Sequence, residues 1–286
     1  MRIPASELPE QPDGAIYHLN LHPDELADNV ILVGDPGRVP MFSGLLDSVD
    51  IRKENRELVT HTGWYKGKRV SVLSTGMGTD NIDIVLNELD AVANIDLPTR
   101  EVKTEHRTLN LVRVGTSGAF QPDIAVRSFV AAADGLAMAG VSQFYDYGDL
   151  SDDALVEAFM THTGWHSRLP RPYCTPASPE LLQRVGAGMH HGITVSAPGF
   201  FGPQGRQVRA KVMFPEIINR METFQFDGRR ITNMEMECSA IYGLSNMLGH
   251  NALTVCLIIA NRVTHDFLDH YHDKIMELGQ LVLDRF

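Results

Sequence analysis

Three short stretches concentrate the residue types that bind anions and hydroxyl groups. In VILVGDPGRVP (residues 30–40) an apolar run enters Gly-Asp-Pro-Gly-Arg. The glycines permit a tight turn with outward backbone amides, and Arg38 adds a fork of donors suited to phosphate oxygens. The other reading is an ordinary strand-to-helix turn with Arg38 in solvent. The stretch matches neither the P-loop pattern nor GxGxxG, so a nucleoside triphosphate or dinucleotide site is not indicated. In RVGTSGAF, Arg113 sits inside a second apolar run, followed by Gly115, Thr116, Ser117 and Gly118. A buried arginine requires a partner, either a fixed carboxylate or a bound anion. In NMEMECSA, Glu235 and Glu237 are two apart. An extended segment therefore turns both carboxylates to one side and Met236 to the other. Such a pair can bind a sugar diol, hold a metal, or mark a helix start, and no His or Asp stands beside it in ligand spacing, which ranks a diol above a metal.

These stretches need strand ends to present them. Apolar, β-rich runs occur at 29–33, 69–73, 109–114, 126–132, 193–197 and 252–260, each ending near Gly, Asp, Pro or Asn. Helical spacing appears in Ile82, Val85, Leu86, Leu89 and Val92 after Thr79-Asp80. It recurs in Ala240, Ile241, Leu244, Met247 and Leu248 before Gly249, and again from Leu268 to Leu283. Strands alternating with helices predict an α/β fold: a three-layer single domain with a mixed central β-sheet flanked by helices. Residues 1–15, broken by three prolines, read as an extended arm, and 16–286 as the domain proper. Residues 94–108 read as a polar surface insertion, and 143–178 as an irregular loop passing over a neighbouring site.

The chain has 286 residues, of which 43% are hydrophobic, enough for a sizeable core. Its 36 acidic and 25 basic residues give a formal charge of −11, with the basic residues scattered. That pattern argues against nucleic acid and an anionic membrane as partners. The longest apolar run, ALTVCLIIA, is nine residues, too short for a span. The opening segment is not a secretory signal, so a cytoplasmic location is expected. Cys174, Cys238 and Cys256 have no CxxC spacing and read as buried thiols.

The ordered motifs YHLNL, GDPGR, NRE, STGMG, RVGTSGA, FFGPQGR, EMEC and IIANR, spread over residues 17–265, resemble the nucleoside phosphorylase I family, and among its members the uridine phosphorylases. The resemblance implies phosphorolysis: inorganic phosphate attacks C1′ of a ribose and expels the base. It implies a phosphate site of Gly34, Arg38, Arg113 and Thr116, with Arg56 supplied by a neighbouring subunit. His18, also from the neighbour, would reach the ribose 5′-hydroxyl. Glu237 would bind the 2′- and 3′-hydroxyls, Met236 would pack on the sugar, and Glu235 would line the same pocket. Phe200 would flank the base while Gln204 and Arg206 read its edge, Arg206 lying where the leaving base gains charge. A solvated loop is the other reading of Gln204 and Arg206.

Purine-specific relatives tend to carry an Asp near the position of Asn261-Arg262, and no carboxylate stands there. Ala260 replaces a bulkier aliphatic residue of the base wall. Some relatives bind a monovalent cation through a Glu, a carbonyl and a Ser; Glu57 and Met77 match, but Asn81 stands in place of the Ser. No cofactor and no metal are expected, phosphate being a co-substrate. The partners implied are a nucleoside, phosphate and further copies of the chain, as dimers within a hexamer. Three rivals stand beside this reading: a purine nucleoside phosphorylase, a nucleosidase that uses water, and a non-catalytic nucleoside-binding relative.

Overall fold

The computed structural model describes residues 2–286. In chain order it contains β1 (Asn29–Val33), α1 (Arg38–Ser43), β2 (Ser48–Asn55), β3 (Leu58–Tyr65), β4 (Lys68–Ser74) and α2 (Thr79–Asn94). A ribbon of β5 (Ile95–Asp96) and β6 (Glu101–Val102) follows, then β7 (Asn110–Ala119) and β8 (Phe129–Ala137). Next come α3 (Asp153–Thr163), β9 (Tyr173–Pro176), α4 (Pro179–Arg184), β10 (His190–Ser196) and α5 (Ile217–Glu222). The chain ends with β11 (Gln225–Phe226), β12 (Arg229–Glu235), α6 (Cys238–Leu248), β13 (Asn251–Asn261) and α7 (His272–Arg285).

The expected mixed sheet flanked by helices is present. Its strand order is β11-β12-β10-β8-β13-β7-β1-β4-β3-β2, with β9 added beside β8. One further pairing changes its shape. β12 also joins β7, Asn233 opposite Ala119 and Met234 opposite Gly118. The strands β12, β10, β8, β13 and β7 therefore close on themselves, leaving β1, β4, β3 and β2 as an open wing. The central strands are buried on both faces, which is why β1 and β13 read as unbroken apolar runs rather than alternating ones. In α2 the predicted apolar face of Ile82, Val85, Leu86, Leu89 and Val92 is buried. α6 stops where Gly249 turns left-handed at φ 75°, a conformation glycine adopts without Cβ strain.

Several expectations change. Residues 143–178 are not an irregular loop: α3 and β9 lie inside them. α3 is started by Asp152, whose side chain accepts from the Leu155 amide at 3.0 Å, and ended by left-handed Gly164. The opening segment is not extended either. Residues 2–28 form turns, Leu8 joins the core, and Arg100 pairs with Glu10 at 3.0 Å. The segment thus packs on the β5–β6 ribbon, which is the only regular structure in residues 94–108 beyond the end of α2. Strand β8 starts at Phe129, three residues later than expected, and the hairpin β2–β3 went unpredicted. All three cysteines are free and buried, as expected.

The hairpin matters for the site because its turn carries Asn55, Arg56 and Glu57. Its register shifts between Val49 and Ile51, opposite Gly63. A Cβ on Gly63 would lie 1.9 Å from the Ser48 carbonyl oxygen, so the two strands can approach there only without a side chain. Gly63→Ala should therefore destabilise the fold by about 2 kcal/mol through forced strand separation. Chemical denaturation, comparing midpoints at constant slope, checks this.

Candidate active site

The strands β1, β7 and β13 run parallel, as do β8, β10 and β12, and the two sets are antiparallel to each other. Their C-terminal ends meet where β12 crosses β7, Asn233 opposite Ala119 and Met234 opposite Gly118. That is where open α/β sheets place ligands. A cavity of about 750 Å³ opens there. Gly34 and Arg38 enter it from the turn after β1, and Arg113 and Thr116 from β7. Glu235, Met236 and Glu237 line it from the junction of β12 with α6. Phe200, Gln204 and Arg206 close it from the loop after β10. The three stretches that suggested chemistry in the sequence thus converge.

Arg113 lies at the centre. It is 5% exposed, and its guanidinium meets Glu235 at 3.3 Å and is hydrogen-bonded to Glu237. The fixed-carboxylate reading of this arginine holds. Burial works against its charge, and the Glu237 and Glu235 carboxylates more than offset that, holding it protonated far above neutral pH. Room for the guanidinium comes from Gly115, where a Cβ would lie 2.1 Å from Arg113 Nη1. Arg113 Nε is buried without a protein partner.

Glu235 and Glu237 differ in what their oxygens do. Glu235 accepts from Ser196 Oγ at 2.7 Å, from the Glu237 amide at 2.9 Å and from the Cys238 amide at 2.9 Å. Ser196 Oγ in turn accepts from the Ser239 amide at 2.9 Å. These bonds satisfy the free amides at the start of α6. The Glu235 carboxylate therefore anchors Arg113 and the helix, and is not a free acceptor for a base edge. Glu237 stands at the N-cap position without capping; its Oε1 accepts from the Gly78 amide at 2.6 Å. Gly78 was missed by sequence reasoning, although the STGMG glycines were a signal. Gly76 and Gly78 have φ of 71° and 94°, and Gly34 approaches the Gly76 carbonyl closely, so two glycine turns meet at the cavity floor. Met234, Ile259 and Phe267 also line the cavity. Met234 and Ile259 lie within NMEMECSA and IIANR, whereas no sequence pattern marked Phe267.

On the opposite wall Gln204 is buried, so it is not a solvated loop residue. Its Oε1 accepts a hydrogen bond from Arg206, which leaves its amide NH₂ as the group presented outward. Arg206 also donates to the Phe200 carbonyl at 2.7 Å and lies 4.0 Å from the centre of the Phe200 ring. Burial, with the Arg262 charge adding to it, lowers Arg206 to about 10. The guanidinium stays charged at neutral pH, and no carboxylate is bonded to it among the described residues. An anion arriving beside it would relieve that cost.

His18 and Arg56 do not line this cavity, although Glu57 does. Asn55 links them: its Nδ2 donates to the His18 carbonyl at 2.9 Å, and Arg56 follows it, between Asn55 and the cavity-lining Glu57, in the left-handed region at φ 56°. Glu57, Met77 and Asn81 share the cavity rim. Among the described residues no group of three or more His, Cys, Asp or Glu is placed to hold a metal, and no helix is long and apolar enough to cross a membrane.

The Glu235 carboxyl titrates unusually. Burial raises it, Arg113 opposes that, Glu237 adds to it, and the balance is about 7 against a reference of 4.5. A carboxyl that holds its proton more tightly when folded contributes stability that is complete below the unfolded value and is lost as pH rises through the folded one. Between pH 4.5 and 7, Glu235→Gln should therefore gain on the wild type in thermal midpoint, because the amide removes that loss. Parallel melting curves across this window check it; a constant offset between the two proteins would sink it.

Comparison with known proteins agrees with the geometry. A family model described as the phosphorylase superfamily matches residues 28–286. A uridine phosphorylase of Thermococcus kodakarensis is 32% identical over 266 residues, covering 92% of this chain and 83% of that protein. A DeoD-type purine nucleoside phosphorylase of Tolumonas auensis is 26% identical over 249 residues, 85% of this chain and 86% of that one. The solved structure of a Trypanosoma brucei nucleoside phosphorylase, described as showing uridine phosphorylase activity, superposes with a TM-score of 0.89 at 30% identity, covering 97% of this chain and 98% of that one. With a family match running from β1 through the last helix and a shared architecture over nearly the whole length, the chain belongs to the phosphorylase superfamily.

Proposed function

We propose that the protein is a uridine phosphorylase, a pentosyltransferase that converts uridine and inorganic phosphate to uracil and ribose 1-phosphate. The observation that carries this reading is the sorting of one cavity into three walls. Cations and glycine turns (Gly34, Arg38, Arg113, Thr116) form the first. A carboxylate and a methionine (Glu237, Met236) form the second, and an amide paired with a guanidinium (Gln204, Arg206) the third. These match phosphate, sugar diol and a pyrimidine edge in turn. The 32% identical relative carries the same activity in its name.

In this mechanism phosphate sits against Arg113 and Arg38, below C1′. Breaking the C–N bond develops positive charge on the sugar, which the phosphate stabilises, and negative charge on the base, which Arg206 receives. Glu237 accepts from the ribose hydroxyls and Met236 packs on the sugar face. The Gln204 amide donates to a uracil carbonyl, and Phe200 flanks the ring. Glu235 holds Arg113 in place rather than touching the base. Prearranged donors at developing charge are the main source of rate, each worth roughly 10² to 10³. His18 and Arg56, which do not line their own cavity, complete the cavity of a second copy, in dimers assembled within a hexamer. The cell would use the reaction in pyrimidine salvage or nucleoside breakdown in the cytoplasm.

Release of free base from uridine, thymidine and inosine, each with and without phosphate, tests the reading. Uracil from uridine only with phosphate is expected. Hypoxanthine from inosine would move the protein to the purine branch, release without phosphate would make it a nucleosidase, and no release would leave a binding protein. Gly115→Ala should lower kcat/KM by about 10²-fold and lower the thermal midpoint as well, because displacing the Arg113 guanidinium costs positioning and disturbs its buried pairing with Glu235 and Glu237. Steady-state kinetics beside a melting curve checks this.

A further inference from the structure

Glu88 is a buried carboxylate that the walls of the cavity do not use. It lies on α2 and is 7% exposed. One end of α2 serves the cavity through the Gly78 amide and Glu237. Glu88 is ten residues further on, about 15 Å along the helix. There its two oxygens accept from the His18 amide at 3.0 and 2.9 Å and from the Leu19 amide at 2.8 Å. Glu88 Oε1 also lies 2.6 Å from His18 Nδ1. Asn55 holds the same segment from the other side, donating to the Tyr17 carbonyl at 3.1 Å and the His18 carbonyl at 2.9 Å. The Tyr17 ring stands edge-on to the imidazole, with ring centres 4.9 Å apart. Backbone and ring of His18 are both fixed, yet the residue stays part-exposed, its side chain at 24%.

A carboxylate only accepts hydrogen bonds, so a neutral imidazole meeting it through Nδ1 must carry its proton there. The other nitrogen, Nε2, is then a bare acceptor. Imidazoles held this way by a second group keep one tautomer and one ring orientation. We propose that Glu88 is the positioning residue for His18: it locks the Nδ1-protonated tautomer, so that Nε2 accepts a hydrogen bond from the ribose 5′-hydroxyl of a nucleoside held by a second copy. The inference rests on the uridine phosphorylase reading and on the role given there to His18. Glu88 touches no substrate and acts only through the ring.

Uridine and 5′-deoxyuridine separate this role from a structural one. The wild type should favour uridine in kcat/KM by roughly tenfold or more, the cost of one unmade hydrogen bond. His18→Ala should abolish the preference. Glu88→Gln can turn its amide NH₂ toward Nδ1 and so favour the opposite tautomer. It should remove most of the preference through KM while leaving kcat/KM for 5′-deoxyuridine within about twofold, and add nothing in the His18→Ala background. Equal losses for both nucleosides in Glu88→Gln would show a merely structural role and overturn the proposal. A preference that survives His18→Ala would overturn the His18 role and the Glu88 inference together, while leaving uridine phosphorolysis standing. Nitrogen NMR of the wild-type protein near pH 8, where an ordinary histidine is neutral, needs no turnover and no variant. His18 with Nδ1 protonated and Nε2 bare is expected; the reverse assignment overturns the proposal even if the protein proves not to be a phosphorylase.

Discussion

The buried contact of Arg113 with Glu235 and Glu237 is the constraint around which this protein is arranged. Ions removed from water cost several kcal/mol each unless their partners and hydrogen bonds are well placed. Here the compensation is spread over four elements. β7 supplies the arginine, β12 supplies Glu235, α6 supplies its first amides, and β10 supplies Ser196. The additional pairing of β12 with β7 brings the arginine and the two glutamates within reach. Closure of the five-strand ring and assembly of the charge cluster therefore go together in the folded chain.

That arrangement also divides labour between two neighbouring carboxylates. Glu235 spends its oxygens inward, on a helix start and a guanidinium, and its burial makes a proton on it easy to keep. Glu237 keeps one oxygen on Arg113 and one on the Gly78 amide, and it lines the cavity where a sugar would lie. The opposite wall inverts the sign. Arg206 is half-buried with another arginine nearby, so charge on a departing base would lower its cost rather than raise it. One wall thus holds carboxylates ready for hydroxyl groups, the other a cation ready for an anion, and both are set before any ligand arrives.

Much of this was legible in the chain. Arg113 within an apolar run announced a buried cation, and Glu235 and Glu237 at a spacing of two announced carboxylates that act together. The chain nevertheless bends after Glu235, and Met236 lines the same cavity instead of turning to the other side. GDPGR announced a turn with free amides. The hairpin β2–β3 was harder, because β2 alternates between exposed and half-buried residues and reads as a charged segment. α3 was hidden for another reason: its apolar face of Leu155, Val156 and Phe159 is short, and the prolines after it suggested a loop. Tertiary packing against α5 and β9 overrides that weak local pattern.

By itself the sequence determined the α/β class, the placing of anion-binding residues at strand ends, the residue types of the three walls and the buried state of the thiols. Apart from the wall of Phe200, Gln204 and Arg206, which only the family resemblance supplied, these follow from short-range rules: periodicity, turn chemistry, and the cost of burying charge without a partner. Only the tertiary structure decided that Glu235 spends its oxygens on Arg113, Ser196 and the start of α6, that Gly78 donates to Glu237, and that Glu88 and Asn55 hold the His18 segment, with neither His18 nor Arg56 lining the cavity of its own chain. Those outcomes depend on contacts between residues far apart in the chain. Their geometry is set by strand register and helix placement, which no local spacing encodes.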